Sequence, residues 1–477
     1  MHAVPRRHVR LTPPDAAEIA SALAELRDDL DVSIGFPAEV LADAEKAVRA
    51  PRLPAADETA IPFVTIDPPE SLDLDQALHL ERNGKGYRVH YAIADVAAFV
   101  TPGGPMDVEA QFRGQTFYAP DGNARLYPPQ LSEGAGSLLP GEARPALLWT
   151  MEVDAGGEGV DVEVRRALVR SREKLDYAGV QRSLDDGTAD ESLQLLREVG
   201  LLRQEREARR GGINLPIPEQ EVEKGPNGYT LALRAPLPVE GWNAQISLMT
   251  GQAAAELMLS AQMGVLRTLP TADPKAVARL RRTASALGVD WGEGTSYQDF
   301  IRTLDPNVPE HAAVLSESTV LLRGSGYAAF DDEVPSGAIH AGIGAEYAHA
   351  TAPLRRLVDR YVGEVCVSVS GGADVPDWVR SALPQLPETM EHSNRRAQQY
   401  EAGIVSTVEA AVLERSVGQV FEAVVVEADD DGGGTVQLKE PAVTARCEGE
   451  NLPLGERVEV RLELADIAKR QVRFVLA

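Results

Sequence analysis

Residues 65–80 read TIDPPESLDLDQALHL, a stretch that gathers Asp67, Glu70, Asp73 and Asp75 within nine positions and contains no lysine or arginine. Crowded carboxylates raise one another's pKa and cost energy unless something cationic lies between them. The apolar run IPFV at 61–64 leads into the stretch. Asp73 and Asp75 are two apart, so an extended backbone points both side chains the same way, and a loop can bring Asp67 back to them. Oxygen donors without cysteine favour a hard cation, Mg²⁺ or Mn²⁺. A calcium EF-loop is a poor fit, because Gln76 follows Asp75 where that loop needs its glycine. Such a cluster is suited to bridging a phosphate. A solvated acidic loop is the competing reading, and spacing alone leaves both open.

The chain around this stretch has 477 residues, too many for one ordinary core, and is 44% hydrophobic and 25% charged, the composition of a globular protein. No apolar run reaches the length of about 18 residues that a membrane span requires, so no membrane partner is expected. The N-terminal MHAVPRRHVRLTPPD has no apolar signal core. Cys366 and Cys447 are far apart and form no CxxC pair, which points to a reducing cytoplasm rather than to disulfides or zinc. The net charge of -26 weighs against a broad basic nucleic-acid face, yet it leaves room for a local channel lined by a few arginines.

The first fifty or so residues read as helical. Thr12 and Pro13 form a helix start, Ile19, Leu23, Leu26 and Leu30 follow at helical spacing, and Val40, Leu41, Ala44 and Val48 mark a second helix after DVSIGFP. A helix-turn-helix and a helical cap on the next domain are the two readings, with the cap favoured by the acidity of the segment. QALHLE and YRVHYAIADV flank RNGKG as a hairpin, and LLWTMEV and VDVEVRRALV pair around DAGGEG. Helices dominate afterwards, in DESLQLLREVGLLRQEREARR, WNAQISLMTGQAAAELMLSAQMGVLRTL, PKAVARLRRTASALG and roughly 375–414. The closing residues return to short strands, which fit an OB-type barrel whose Phe421 and Phe474 could be core or stacking platform. The class is α+β, with expected boundaries at 1–52, 53–412 and 413–477.

A phosphate-handling site also calls for arginines. EYAHATAPLRRLVDRY at 346–361 suggests a helix opened by Pro353, with Arg355 and Arg356 in its first turns, a ready anion site. An ordinary basic helix face is the plainer alternative.

Together these stretches resemble the ribonuclease II family, the exoribonucleases built on the RNB domain. FVTIDPPESLDLDQAL is similar to the family's acidic signature, in which an apolar strand leads to an aspartate and then to D-x-D-D six residues on. YRVHYAIADVAAFV, MDVEAQFRGQTFYAPD, LYPPQLSEGAGSLLPGEARPAL, SREKLDYAGVQ and YAHATAPLRRLVDR continue the match in order. The resemblance, over about residues 55–477, implies a large RNB catalytic domain of mixed sheet and helices, preceded by the small helical module and followed by an RNA-binding OB domain of the ribosomal-protein-S1 kind. It implies a 3′→5′ exoribonuclease that hydrolyses single-stranded RNA to nucleoside 5′-monophosphates. RNA held mainly through phosphates is expected to be bound without sequence preference, and the protein is expected to be a monomer. By position, Asp67, Asp73 and Asp75 fall on signature aspartates that hold Mg²⁺ and orient water, and Asp75 falls on the one essential for cleavage. Arg355 matches the phosphate-gripping arginine of the T-S-P-I-R motif, Arg356 stands beside it as a second RNA contact, and Tyr177 matches a tyrosine that stacks on RNA and sets where digestion stops.

The chain departs from the family pattern at several points. The fourth signature aspartate is Gln76, whose amide oxygen can bind Mg²⁺ but brings no charge; the motif serine is Ala352, a base-clamping aromatic falls on Leu215, and Gln245 stands about where the family has a glutamate. The helical residues ahead of the catalytic domain are too few for the two cold-shock barrels that members usually carry, which suggests a wider entrance and more tolerance of structured RNA. The main alternative is a catalytically decayed RNB scaffold that only binds RNA. A D-x-D phosphatase or phosphotransferase is a weaker fit, because PPES rather than an apolar strand precedes the pair.

Overall fold

The computed structural model describes residues 13–213, 219–225, 228–234, 236–306, 308–429, 432–438, 443–449 and 452–477. Five strands, β1 (Phe63–Ile66), β2 (Gln76–Asn83), β3 (Gly86–Ala94), β4 (Ala143–Val153) and β5 (Gly159–Leu175), close into a barrel. Tyr87, Val89 and Tyr91 of β3 alternate inward and are buried, while Arg88 and His90 face out. The β2–β3 hairpin turns on Gly84 and Lys85, and Gly84 takes φ 59°, the left-handed geometry such a two-residue turn demands at its first position. Both predicted hairpins are present. Closure comes from β1 running parallel to β5, with Phe63 beside Ser171 and Ile66 beside Leu175, a pairing of distant segments that no local pattern announces.

Helices Pro105–Arg113, Tyr177–Asp185, Glu191–Arg209, Pro238–Ser260, Leu357–Ser370 and Leu386–Leu413 accompany the barrel. One core joins Phe63, Tyr91 and Trp149 of the barrel to Ile246, Leu357 and Val365 of the helices. The stretch AQMGVLRTL, expected to extend a helix, does not: the helix stops at Ser260, Gln262 takes φ 54°, and Met263–Thr268 is a strand paired with Gly326–Asp331. A short apolar run fits a buried strand as well as a helix, and here a left-handed residue ends the helix first.

Two N-terminal helices, α1 (Pro13–Asp29) and α2 (Ala38–Arg49), precede the barrel. Ile19, Leu23 and Leu26 of α1 share a core with Tyr400 and Ile404, and Val40 and Ala44 of α2 join the barrel core. Their apolar faces thus pack against this chain. Thr12 lies outside the described residues.

The C-terminal strands Val420–Ala428, Gly434–Leu438, Thr444–Glu448, Arg457–Asp466 and Gln471–Leu476 form a second closed five-stranded barrel. Phe474 is fully buried in it and meets Phe421 edge-on at 6.0 Å, so Phe474 is core rather than a stacking platform. Among the described residues no helix is long and apolar enough to cross a membrane. Cys366 and Cys447 are free and buried.

Candidate active site

The acidic stretch is the β1–β2 connection at one end of the first barrel. It is pinned along its length. The Asp67 N–H donates to the Leu175 carbonyl at 3.0 Å, and Lys174 Nζ donates to the carbonyls of Pro69 and Ser71 at 2.6 Å each. Buried Ser137 accepts from the Leu74 N–H at 2.9 Å and donates to the Leu72 carbonyl at 2.6 Å. Register returns where the Ala94 N–H meets the Asp75 carbonyl at 2.9 Å.

Asp75 is 4% exposed. Its carboxylate accepts from the Leu354 N–H at 2.7 Å and lies 3.4 Å from Arg355 Nε. Residues 351–356 thus come to the acidic loop, though in a turn rather than a helix: the helix begins only at Leu357. The reason is Asp359, which accepts from the Ala352 N–H at 2.7 Å and from Arg356 at 2.8 and 2.9 Å, folding the turn back over the helix start. Arg356, expected to face RNA, is committed to this buried partner. Arg355 is 44% exposed and points to the carboxylates.

A third segment completes the site. Residues 114–116 run beside the arginine turn, with Thr116 N–H donating to the Arg355 carbonyl at 3.0 Å and Leu357 N–H to the Gly114 carbonyl at 2.9 Å. Gly114 has φ 71°, and a Cβ there would lie 2.5 Å from Ser393 Cβ. Gly114→Ala is therefore expected to lower stability by about 1–3 kcal/mol, read as a reduced urea midpoint. The same segment carries Tyr118, half exposed, whose hydroxyl donates to Asp73 at 3.4 Å. Tyr118 was not singled out in the sequence; its one signal is an aromatic in the turn-rich TFYAPDGN. Tyr177, half buried, lies near Asp67 and accepts from Asn243 at 3.3 Å; burial and then the Asp67 carboxylate push its phenol up.

Burial pushes Asp75 up to about 8 and Asp67 up to about 6, and it also raises Asp73, while Arg355 pulls all three back. Arg355 is shared by all three desolvated carboxylates, with Lys174 adding to Asp67 and Arg125 to Asp73, and burial still outweighs these cations, a deficit that a hard divalent cation would fill. The donor set fits Mg²⁺ or Mn²⁺ in chemistry. Even so, among the described residues no three His, Cys, Asp or Glu side chains are grouped closely enough to hold a metal together. Gln76 is occupied elsewhere: its amide oxygen accepts from the hydroxyls of Tyr91 and Ser247, and its amide nitrogen donates to the Thr351 carbonyl at 2.7 Å. Gln245 donates to Glu207 at 2.8 Å, and Leu215 lies outside the described residues.

Behind the arginine turn, Arg267, His340, Tyr347 and His349 line part of a cavity of about 440 Å³. Burial, then Arg267, lowers His340 to about 4. Unfolded histidine titrates near 6.5, so the unfolded chain takes up the proton first, and the stability His340 contributes above that pH is lost as pH falls toward 4. Denaturation between pH 7.5 and 5 should show wild type losing about 1–2 kcal/mol that His340→Gln does not lose.

A family model described as the RNB domain matches residues 56–369, and one described as the RNase II-type exonuclease C-terminal S1 domain matches 419–477. The chain belongs to the RNB-domain family. Ribonuclease R 1 of Lactococcus lactis subsp. lactis is 26% identical over 441 residues, covering 84% of this chain and 51% of that protein. The chain thus spans about half the length of that curated relative. Among solved structures, Mycoplasma genitalium RNase R in complex with ribose methylated single-stranded RNA superposes with TM-score 0.84 at 18% identity, covering 96% of this chain and 78% of that one. Yeast Ssd1, described as a pseudonuclease, superposes with TM-score 0.70 at 15% identity, covering 95% and 57%. Both likenesses establish the RNB fold.

Proposed function

We propose that this RNB-family chain is a metal-dependent 3′→5′ exoribonuclease that hydrolyses single-stranded RNA, without sequence preference, to nucleoside 5′-monophosphates. The observation that carries this reading is the meeting of Asp75, nearly fully buried, with the backbone and guanidinium of the 354–355 turn. A buried carboxylate beside an exposed arginine suits phosphodiester hydrolysis, and simple RNA binding gains nothing from carboxylates that repel phosphate.

Asp67, Asp73 and Asp75 would hold Mg²⁺ or Mn²⁺, which supplies Lewis-acid neutralisation of phosphate charge. Arg355 places its fork on the phosphate at the cleavage point and steadies the charge that develops there. The Leu354 N–H fixes the orientation of the Asp75 carboxylate, so that no reorganisation is needed during reaction. Tyr177, near Asp67, and Tyr118, near Asp73, offer ring faces on which bases can stack. RNA held mainly through phosphates and stacking is read without sequence preference. The single chain acts as a monomer in the cytoplasm, a setting consistent with its two free cysteines.

The second reading, an RNB scaffold that binds RNA without cutting it, is favoured by the engagement of Gln76 with protein partners and by the lack of a three-ligand group among the described residues. RNA labelled at its 5′ end, incubated with and without Mg²⁺, separates the two. A ladder shortening from the 3′ end only with metal supports the exoribonuclease. Intact RNA that is retarded on a native gel supports the scaffold.

A further inference from the structure

The loop that presents Tyr118 is held by α1 and by the Leu386–Leu413 helix rather than by the barrel. It is closed at its base by mutual 2.9 Å hydrogen bonds between Phe117 and Ala124, both buried against Ile19, Leu23 and Leu26 of α1 and against Tyr400. At its tip Asp121 accepts two hydrogen bonds from Arg27 Nη1 of α1, at 2.7 and 2.9 Å. The pair is shielded, at 14% and 12% side-chain exposure, so it is screened less than a surface ion pair. Gly122 approaches Ile34, which follows α1. Arg27 also reaches the Tyr400 hydroxyl at 3.4 Å, tying the tip to the long C-terminal helix of the catalytic unit. At the near end of the loop, Tyr118 donates to Asp73.

We infer that the Arg27–Asp121 pair is a positioning contact for the active site: through the 117–124 loop, the N-terminal helical module holds Tyr118 against Asp73. Neither Arg27 nor Asp121 touches RNA or the reacting phosphate. Both act by restricting where the Tyr118 ring and hydroxyl can be, and misplacement of a positioning group by about an ångström costs on the order of 10²-fold in rate at most. The inference rests on the exoribonuclease reading for its kinetic consequence but not for its structural one.

The full chain tests both parts. Hydrogen exchange without RNA or metal should show faster exchange at residues 118–123 in Arg27→Gln and Asp121→Asn than in wild type, with the barrel strands unchanged. This measurement stands even if the protein cuts nothing. Kinetics then read the coupling: Arg27→Gln should lower kcat/KM by roughly tenfold in the wild-type background and by less than about twofold in Tyr118→Ala, because residues acting through one another are not additive. The charge swap Arg27→Asp with Asp121→Arg should restore protection of the loop, and Arg27→Lys, which disturbs the fold least, should fall between wild type and Arg27→Gln. Unchanged exchange in the loop overturns the inference. So does an equal loss of kcat/KM in both backgrounds, which would mark the pair as a general stabiliser.

Discussion

Asp75→Asn is expected to abolish hydrolysis, with a loss of at least the order of 10³-fold in kcat, while RNA remains bound. The substitution keeps an oxygen to accept from the Leu354 N–H and removes only the charge, so the fold around residue 75 is preserved. RNA retention should hold or tighten, since a carboxylate facing phosphate is repulsive. Stability gives a second readout. Burial raises the folded-state pKa of Asp75 from 3.8 to about 8, so between those values the folded state binds the proton that the unfolded chain has released. Metal-free wild type therefore loses stability as pH rises through that window, and Asn, which has no proton to lose, does not. At pH 7.5 without metal the variant should be more stable by ~1–3 kcal/mol, and Mg²⁺ should narrow the gap by stabilising only the wild type. Near-normal cleavage by Asp75→Asn would remove the acidic loop from the chemistry, whatever the stability data show.

The legible parts of this molecule are those whose signals are local. Hairpin β2–β3 is written in alternation around a glycine turn, α1 in the spacing of Ile19, Leu23 and Leu26, and the acidic loop in its own composition. The less legible parts depend on which side chains meet once the chain has folded. Pro353 looks like a helix start until Asp359 is seen folding residues 352–356 into a turn, and only then does Arg356 lose its freedom. Gln76 reads as a weakened metal ligand because the linear motif does not show that Tyr91 in the next strand and the distant Ser247 and Thr351 engage its amide. Tyr118 reads as one aromatic among several in a loop; only tertiary folding puts its hydroxyl on Asp73. Family resemblance carries the identity of a position. What a side chain at that position is bonded to belongs to the fold.

The two adjacent arginines provide the sharpest division between function and framework, and they are expected to fail in opposite ways. Arg355→Ala should lower kcat/KM by on the order of 10²–10³-fold, the range for losing one preorganised charge stabiliser. Its side chain is 44% exposed but its partner Asp75 is buried, so Arg355→Ala should lose stability without metal and regain it with Mg²⁺, whereas metal should not rescue Arg356→Ala. Arg355→Lys should recover only part of the activity, because a lysine ammonium is a point charge without the guanidinium fork. Arg356→Ala should instead destabilise the protein by ~3–5 kcal/mol, because Asp359 is 1% exposed and would be left buried without its counter-charge. Its activity should fall only as far as the 351–356 turn loosens, and Arg356→Ala with Asp359→Asn should regain stability without Arg356. Parallel chemical denaturation and single-turnover cleavage of the two alanine variants read the contrast directly. Arg356→Ala that folds normally but releases RNA would move this residue from the framework into the binding surface, where the linear motif had placed it.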